Sequence, residues 1–171
     1  LAEQDIFVIS TLAVFDGFVD TAGGSSLIAD PRLRPFLSDF ALEELATRTY
    51  GPKYQDIDRF IAAVAGLVDA DVTLLTGSDV RNGTTSYGVS VHRELELLVQ
   101  AGLSPQQALT AATANVADAF GLEDRGIIAA GRRADLLLVR GDPGKDITAS
   151  RDIVTIWRNG VAFDRSLHDE E

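Results

Sequence analysis

A short apolar run that ends in a carboxylate, VTLLTGSD at residues 72–79, constrains this chain more than any other feature. Such a run suits a strand that is covered on both faces, although periodicity alone does not separate it from a buried helix. Asp79 would then follow the carboxyl end of the strand, where parallel α/β folds place their chemistry. The position makes Asp79 a candidate catalytic group, against the alternative of an aspartate that caps a helix or starts a turn.

Helical patterns follow this strand. A first helix, HRELELLVQAG, would present leucines on one face and direct Glu94 and Glu96 elsewhere. The second would begin with Ser104 as its cap, and Asn115 is a candidate cap for a third short helix that stops at Gly121. We expect these helices to cover the flank of the strand.

A second apolar run, IFVI at residues 6–9, predicts an earlier strand. Residues 13–34 are predicted to be irregular, because they contain a Gly-Gly-Ser-Ser tip and an Asp-Pro turn signal. Helices are predicted over residues 39–49 and from a cap at Asp58 up to the strand at residues 72–79. Strand, helical excursion and strand are the order of a parallel sheet in an α/β fold.

Three segments after residue 121 carry β-forming residues separated by turns: GIIAAG, ADLLLVRGDP and DIVTIWRNGVAF. Asn159 and Gly160 predict a two-residue hairpin, because both central residues of such a turn take positive φ. We therefore expect a unit over residues 1–121, a small β unit over residues 122–165 and a charged tail over residues 166–171.

The charge balance excludes two classes of partner. A formal net charge of −11 opposes binding to nucleic acid or to an anionic membrane, and the scattered acidic side chains are expected to form a solvated surface. No apolar run reaches the roughly 18 residues of a membrane span, and no signal peptide is visible. We expect a soluble protein and favour the cytoplasm. Since the chain contains no methionine, we expect it to be a piece of a longer polypeptide.

The segments GSDV, HRELELLVQAGLSPQQALTAATANVADAFG and GIIAAGRRADLLLVRGDP, with the closing NG hairpin, resemble the carboxyl-terminal part of amidohydrolases. The resemblance is to the imidazolonepropionase-like and Xaa-Pro dipeptidase-like branch, over residues 71–163 and more weakly over residues 5–12. It implies the last two strands and helices of a (β/α)8 TIM-type barrel over residues 1–121, plus part of a β-sandwich over residues 122–165. Residues 5–12 and 72–79 would be strands seven and eight.

The resemblance implies a metal-dependent hydrolase that cleaves C–N bonds of amides, cyclic amides or dipeptides. Asp79 matches the aspartate that helps to hold the metal and carries the proton of the attacking water. The expected cofactor is one or two divalent ions, with zinc as the expected metal. The histidine and lysine ligands of the family are absent from this chain, and a catalytic ion needs about three protein ligands. We therefore expect the isolated chain to be inactive and to bind no metal stably.

Partners and substrate contacts follow from the same resemblance. The expected partners are a small-molecule substrate and either the missing N-terminal part of the barrel or another copy of the chain. Arg81 and Asn82 are candidates for substrate contacts, with a solvated loop as the alternative. His92 either lines the mouth of the site or hydrogen-bonds a loop as a structural residue. The alternative function is a non-catalytic assembly or binding piece that pairs through its open half-barrel surface.

Overall fold

The fold, taken from a computed structural model that describes residues 6–19, 23–47, 56–80 and 82–166, is mixed α/β. Helices pack against a two-stranded parallel sheet, and a three-stranded antiparallel sheet follows it in the chain. No helix in this described part is both long and apolar enough to cross a bilayer. In chain order the elements are β1 (Val8–Ser10), α1 (Leu12–Phe18), α2 (Gly23–Ala29), a 3-10 helix (Arg34–Phe36), α3 (Asp39–Ala46), α4 (Ile57–Asp69), β2 (Leu74–Thr76), α5 (Val89–Gln100), α6 (Pro105–Ala111), α7 (Ala114–Ala119), β3 (Leu136–Val139), a second 3-10 helix (Ile147–Arg151), β4 (Ile153–Arg158) and β5 (Val161–Phe163).

The two apolar runs pair as parallel strands, which confirms the predicted strand order. β1 and β2 lie side by side, with Ser10 opposite Thr76. The pairing continues beyond the strands, because the Gly77 N–H group donates to the Ser10 carbonyl oxygen at 2.8 Å. A Cβ atom on Gly77 would lie 2.6 Å from Cγ2 of Ile9. Glycine therefore allows the chain that leaves β2 to stay against β1.

The largest hydrophobic core joins the parallel sheet to the segment that precedes β4. Leucines from β2 and α5 pack against small residues of α6 and against the second 3-10 helix. Close packing of this kind is what makes a core sensitive to the loss of single methylene groups. The buried members are Leu74, Leu95, Leu98, Leu103, Ala108, Ala111 and Ile147.

Helix α6 begins at the predicted signal. Ser104 Oγ accepts a hydrogen bond from the Gln107 N–H group at 3.2 Å, and Gln107 Oε1 accepts one from the Ser104 N–H group at 2.8 Å. This capping box satisfies two of the donors that a first turn leaves without partners. The prediction of a helix start at this serine is confirmed.

Two other predicted caps are wrong by two residues each. Helix α4 is capped by Asp56, whose side chain accepts from the Asp58 N–H group at 3.0 Å. Helix α7 has Thr113 at its N-cap. Asn115 instead donates from Nδ2 to the carbonyl oxygen of Leu74 at 3.1 Å, so it ties α7 to β2.

The prediction that residues 13–34 are irregular is wrong, because helices α1 and α2 occupy much of this range. Residues that are distant in sequence supply hydrogen-bond and ion-pair partners that the local sequence of α1 lacks. The Ala13 N–H group in the first turn of α1 donates to Glu94 at 2.6 Å, and Asp16 pairs with Arg93 at 2.9 Å. Both partners lie on α5, so α1 is stabilised from outside its own segment.

The small β unit is antiparallel, with β4 between β3 and β5. Asn159 and Gly160 have φ angles of 51° and 79°, which confirms the predicted hairpin turn. The prediction of a strand at GIIAAG is wrong. Gly126 and Gly131, at the two ends of this segment, take positive φ angles of 88° and 81°. The residues between them pair with no described strand, and Ile128 is 90% exposed.

Candidate functional site at the carboxyl ends of the parallel strands

Asp79 lies three residues beyond the end of β2, at the carboxyl edge of the parallel pair. Its side chain is exposed, and its backbone has a φ angle of 45°. Aspartate is one of the few residue types that tolerate this left-handed region. Thr85 Oγ1 donates to the Asp79 carbonyl oxygen at 3.4 Å. The carboxylate is therefore accessible to a small molecule at the edge where α/β folds place catalytic groups.

Two helices contact the loop that carries Asp79. Thr84 has a φ angle of 66° and is 7% exposed, and its N–H group donates to the Glu44 carbonyl oxygen of α3 at 2.9 Å. Gly17 of α1 approaches the same residue. A Cβ atom on Gly17 would lie 1.8 Å from Thr84 Oγ1 and 2.1 Å from Thr84 Cβ. The segment that follows β1 thus holds the loop that follows β2.

We expect Gly17→Ala to destabilise the chain by about 1–2 kcal/mol, because overpacking of a buried contact costs more than the gain in helix propensity returns. Thr84 Cβ is fixed to its own backbone, so the loop itself must shift. Gly66→Ala is the matched control: Gly66 also lies in a helix, and no atom lies within 4 Å of its added Cβ. The control should stabilise by about 0.5–1 kcal/mol. Urea unfolding should give opposite signs, and equal signs would contradict the close approach.

The other predicted site residues are not all brought to this edge. Arg81 lies outside the described residues, and Asn82 is exposed in the Asp79 loop. His92 is buried, with Nδ1 3.0 Å from Ser150 Oγ. Burial, together with the positive charge of Arg151, lowers the pKa of His92 to about 4, so the ring is neutral at pH 7. These contacts favour the structural alternative for His92.

A largely buried series of ion pairs ties the segment that contains α1 and α2 to α5 and to the second 3-10 helix. The sequence analysis, which expected the acidic side chains to form a solvated surface, did not predict this network. Three carboxylates and three guanidinium groups alternate from α1, through α5 and the second 3-10 helix, to the end of α2. Three of the five pairs join residues that are 55, 77 and 121 positions apart, so no local pattern reveals them. The pairs are Asp16–Arg93 at 2.9 Å, Arg93–Glu96 at 3.3 Å, Glu96–Arg151 at 2.6 Å, Arg151–Asp30 at 3.0 Å and Asp30–Arg32 at 2.7 Å.

The end of this chain of charges keeps Asp30 ionised. The Arg32 guanidinium group donates to both carboxylate oxygens of Asp30, at 2.9 and 2.7 Å. This hydrogen bonding, together with that from Arg151, holds the pKa of Asp30 well below its usual range although burial opposes the shift. The carboxylate therefore remains a charged anchor for the turn after α2.

Glu94 is a second buried acid that the sequence interpretation directed away from the core. Its side chain is 0% exposed, and its oxygens accept from Ser10 Oγ and from the Ala13 N–H group, both at 2.6 Å. Burial raises the pKa of Glu94 to about 7, against the opposing effect of these hydrogen bonds. Helical spacing could have predicted the burial of Glu94, because it lies three and four positions before the buried Leu97 and Leu98 and so shares their helix face.

The donor set at this edge does not complete a metal centre. Within the described residues, no three histidine, aspartate or glutamate side chains are grouped closely enough to hold an ion. Asp79 would be a single ligand, whereas catalytic ions are held by about three protein ligands. A catalytic ion at Asp79 would need further ligands from outside the described residues.

Comparison with known proteins identifies the family. Residues 26–162, which are most of the chain, match the Amidohydrolase family. The chain belongs to the amidohydrolase family. The predicted family resemblance is thereby confirmed, and the relatives of this amidohydrolase include enzymes of the expected branch.

Two curated relatives and one solved structure illustrate the likeness. The imidazolonepropionase of Deinococcus deserti is 35% identical over 99 residues, which cover 56% of this chain and 25% of that protein. The adenine deaminase of Ligilactobacillus salivarius is 34% identical over 103 residues, which cover 57% of this chain and 18% of that protein. A Xaa-Pro dipeptidase with methionine bound in its active site has a TM-score of 0.67 at 21% identity, over 95% of this chain and 35% of that one. The chain thus spans about a quarter of the length of the imidazolonepropionase.

Proposed function

We propose that this chain is the carboxyl-terminal part of a metal-dependent amidohydrolase that hydrolyses the C–N bond of an amide, a cyclic amide or a dipeptide. The observation that carries the proposal is the parallel pairing of β1 with β2, with the exposed carboxylate of Asp79 just beyond the carboxyl end of β2. In the proposed enzyme, β1 and β2 are strands seven and eight of a (β/α)8 barrel. The unit at residues 122–165 is part of its β-sandwich.

Asp79 has the proposed role of proton carrier. Its carboxylate accepts the proton of a water molecule as the water oxygen attacks the carbonyl carbon of the substrate. The same proton then passes to the leaving nitrogen as the C–N bond breaks, which returns the carboxylate to its starting state. A divalent ion, which we expect to be zinc in one or two copies, would polarise the carbonyl group in the intact enzyme.

Substrate contacts are proposed for the rest of the Asp79 loop. Asn82 is exposed there, and an amide side chain can both donate to and accept from a substrate. Arg81 precedes it in the sequence and is proposed to bind a carboxylate group of the substrate. The buried contact of His92 with Ser150 supports a structural role for that ring instead.

The partner of this chain is proposed to be the upstream part of the barrel or a second copy of the chain. Each of the two parallel strands has one neighbour in the described sheet, so each leaves an edge of backbone groups. Ile9 on β1 is 47% exposed, which is more than a barrel strand leaves to solvent. The same open surface supports the alternative of a non-catalytic assembly piece, and a sedimentation measurement that finds a monomer would oppose it.

Asp79→Asn is expected to lower turnover by at least about 100-fold in a longer polypeptide that includes the upstream strands, because asparagine cannot carry the proton. Asparagine also tolerates the left-handed backbone, so the loop should keep its conformation. The measurement is kcat with a panel of amides, cyclic amides and dipeptides, together with the metal content of each preparation.

Asp71→Asn is the matched control for this prediction. Asp71 is also exposed and also has a positive φ angle, of 55°, but it precedes β2 and lies at the opposite end of the strand. Its replacement should leave kcat within about twofold, as expected of a surface residue away from the site. Turnover that survives in Asp79→Asn, or that falls equally in both variants, would remove Asp79 from the mechanism.

A further inference from the structure

The carboxyl group of Glu94 connects two elements that meet at the candidate site. Ser10 Oγ at the end of β1 donates to Oε1, and the Ala13 N–H group in the first turn of α1 donates to Oε2, both at 2.6 Å. Thr11, the N-cap residue of α1, makes no side-chain cap of its own. Glu94 therefore supplies the missing cap from α5, more than eighty positions away in the sequence.

The contact continues from Ser10 to the loop that carries Asp79. The carbonyl oxygen of Ser10 accepts from the Gly77 N–H group at 2.8 Å, and Gly77 packs closely against Ile9 of β1. Asp79 lies two residues after Gly77. A movement of Ser10 must therefore move or break the contact that fixes the start of the Asp79 turn.

An ion pair does not explain why Glu94 is buried. Asp16 on α1 is the charged side chain that acts on Glu94, and it raises the pKa of Glu94 because the two charges are alike. Asp16 is itself paired with Arg93 at 2.9 Å. Glu94 accepts hydrogen bonds from a hydroxyl group and from backbone N–H groups, so its role is to satisfy these donors and not to form an ion pair.

We infer that Glu94 is a positioning residue, which holds the end of β1 and the start of α1 so that the turn carrying Asp79 keeps its place. The functional part of this inference rests on the proposed role of Asp79. The side chain does not touch the candidate site. It acts through Ser10 and Gly77.

Residue-resolved amide hydrogen exchange of the chain tests the positioning role. Glu94→Leu removes both acceptor oxygens, so protection of the Gly77 amide should fall about tenfold more than protection of Ala108, whose amide lies in α6. Glu94→Gln should restore Gly77 to within about threefold, since its amide can accept from Ala13 and donate to Ser10 Oγ. Equal losses at Gly77 and Ala108, or no rescue by glutamine, would overturn the inference.

Two further variants keep the test decisive. Leu103→Ala damages the main core without touching Ser10, and it should lower Ala108 protection at least as much as Gly77 protection. If Glu94→Leu does not fold, Ser10→Ala removes one arm of the contact. It should lower protection of Gly77 about threefold more than that of Ala108. An unchanged Gly77 in a folded Ser10→Ala chain would then overturn the inference.

The functional arm separates this inference from the proposed function. In the longer polypeptide, Glu94→Leu should lower kcat at least about tenfold with KM within about twofold, because it misplaces a catalytic group and not a binding group. If Glu94→Leu lowers amide protection selectively at Gly77 but leaves kcat unchanged, and Asp79→Asn is inactive, the positioning role of Glu94 is overturned. If Asp79→Asn is itself active, the proposed function fails, while the exchange data still decide whether Glu94 holds the loop.

Discussion

Arg151→Ala is expected to lower the free energy of unfolding by about 3–5 kcal/mol, which is the cost of breaking a buried ion pair by removing one partner. The side chain of Arg151 is 8% exposed. Its Nε and Nη2 atoms donate to the two oxygens of Glu96 at 2.7 and 2.8 Å, and Nη1 donates to Asp30 at 3.0 Å. Removal leaves Glu96 and Asp30 buried, each with one fewer cation. Urea unfolding followed by circular dichroism measures the loss.

Arg140→Ala is the matched control, because it is the same substitution at a surface pair. The side chain of Arg140 is 76% exposed, and its Nε atom lies 3.5 Å from Asp152. Exposed pairs of this kind contribute about 1 kcal/mol or less. Arg151→Lys should fall between the two, since lysine keeps the charge but not the planar fork that bonds Glu96 at two points. Similar losses for Arg140→Ala and Arg151→Ala would contradict the structural importance of the buried pair.

The large effect expected at Arg151 has a topological reason. The alternating charges connect α1 and α2, which follow β1, to α5 and to the 3-10 helix that precedes β4. The same 3-10 helix places Ile147 in the main core. Arg151 thus stabilises both the segment that contains α1 and α2 and the 3-10 helix that leads into the small β unit. Loss of Arg151 should loosen the Gly17–Thr84 contact as well, because α1 belongs to the same network.

The sequence predicted the local structure at two places where a few neighbouring residues determine the backbone. Asn159 and Gly160 must take positive φ in a two-residue hairpin, and Ser104 needs only Gln107, three positions later, to form a capping box. The apolar runs around β1 and β2 likewise predicted their parallel pairing. The turn and cap contacts lie within a few residues of each other, and the parallel pairing follows from the order of strand, helical excursion and strand.

Contacts between residues that are far apart in the sequence could not be predicted in this way. The glycine-bearing segment after β1 predicts a loop, yet α1 forms there. Glu94 accepts a hydrogen bond from the first turn of α1, and Arg93 pairs with Asp16 of the same helix. Gly24 of α2 also packs where a Cβ atom would lie 2.3 Å from the Leu45 carbonyl oxygen, so this glycine serves helix packing and not flexibility. The GIIAAG segment shows the opposite error: its apolar composition favoured a strand, but the segment pairs with no described strand.

The candidate site was predictable in position but not in its support. The place of Asp79 beyond the carboxyl end of β2 follows from the strand pattern, because the chain direction fixes that end. Its catalytic role rests on the family resemblance and stays a prediction. The residues that hold its loop, Thr84 and Gly17, are small and carry no signature in the sequence. Glu94 belonged to a recognisable helical face, but a glutamate on that face is ordinarily interpreted as solvent-exposed.

Glu94→Gln is expected to become more stable than the parent chain as pH rises, by on the order of 2–3 kcal/mol between pH 5 and pH 8. Burial raises the pKa of Glu94 from its ordinary value of 4.5 to about 7 in the folded chain. The folded state therefore retains a proton that the unfolded state releases at lower pH. The stability that this proton contributes is fully present below pH 4.5 and is lost as pH rises through 7. Glutamine resembles the protonated acid at every pH, so the two chains should be close in stability at pH 5 and diverge above it.

The difference between the variants, measured by urea unfolding at each pH, isolates this group. His92 contributes in the opposite direction, because its pKa is lowered to about 4 and its stabilising effect is lost as pH falls. That effect is common to both chains and cancels in the comparison. Glu123→Gln, at an exposed glutamate, should change stability by less than about 0.5 kcal/mol at either pH. A difference between Glu94→Gln and the parent that stays constant from pH 5 to pH 8 would show that the folded chain binds no extra proton at Glu94. The acid would then be ionised throughout, held by Ser10 and the first turn of α1 strongly enough to offset its burial.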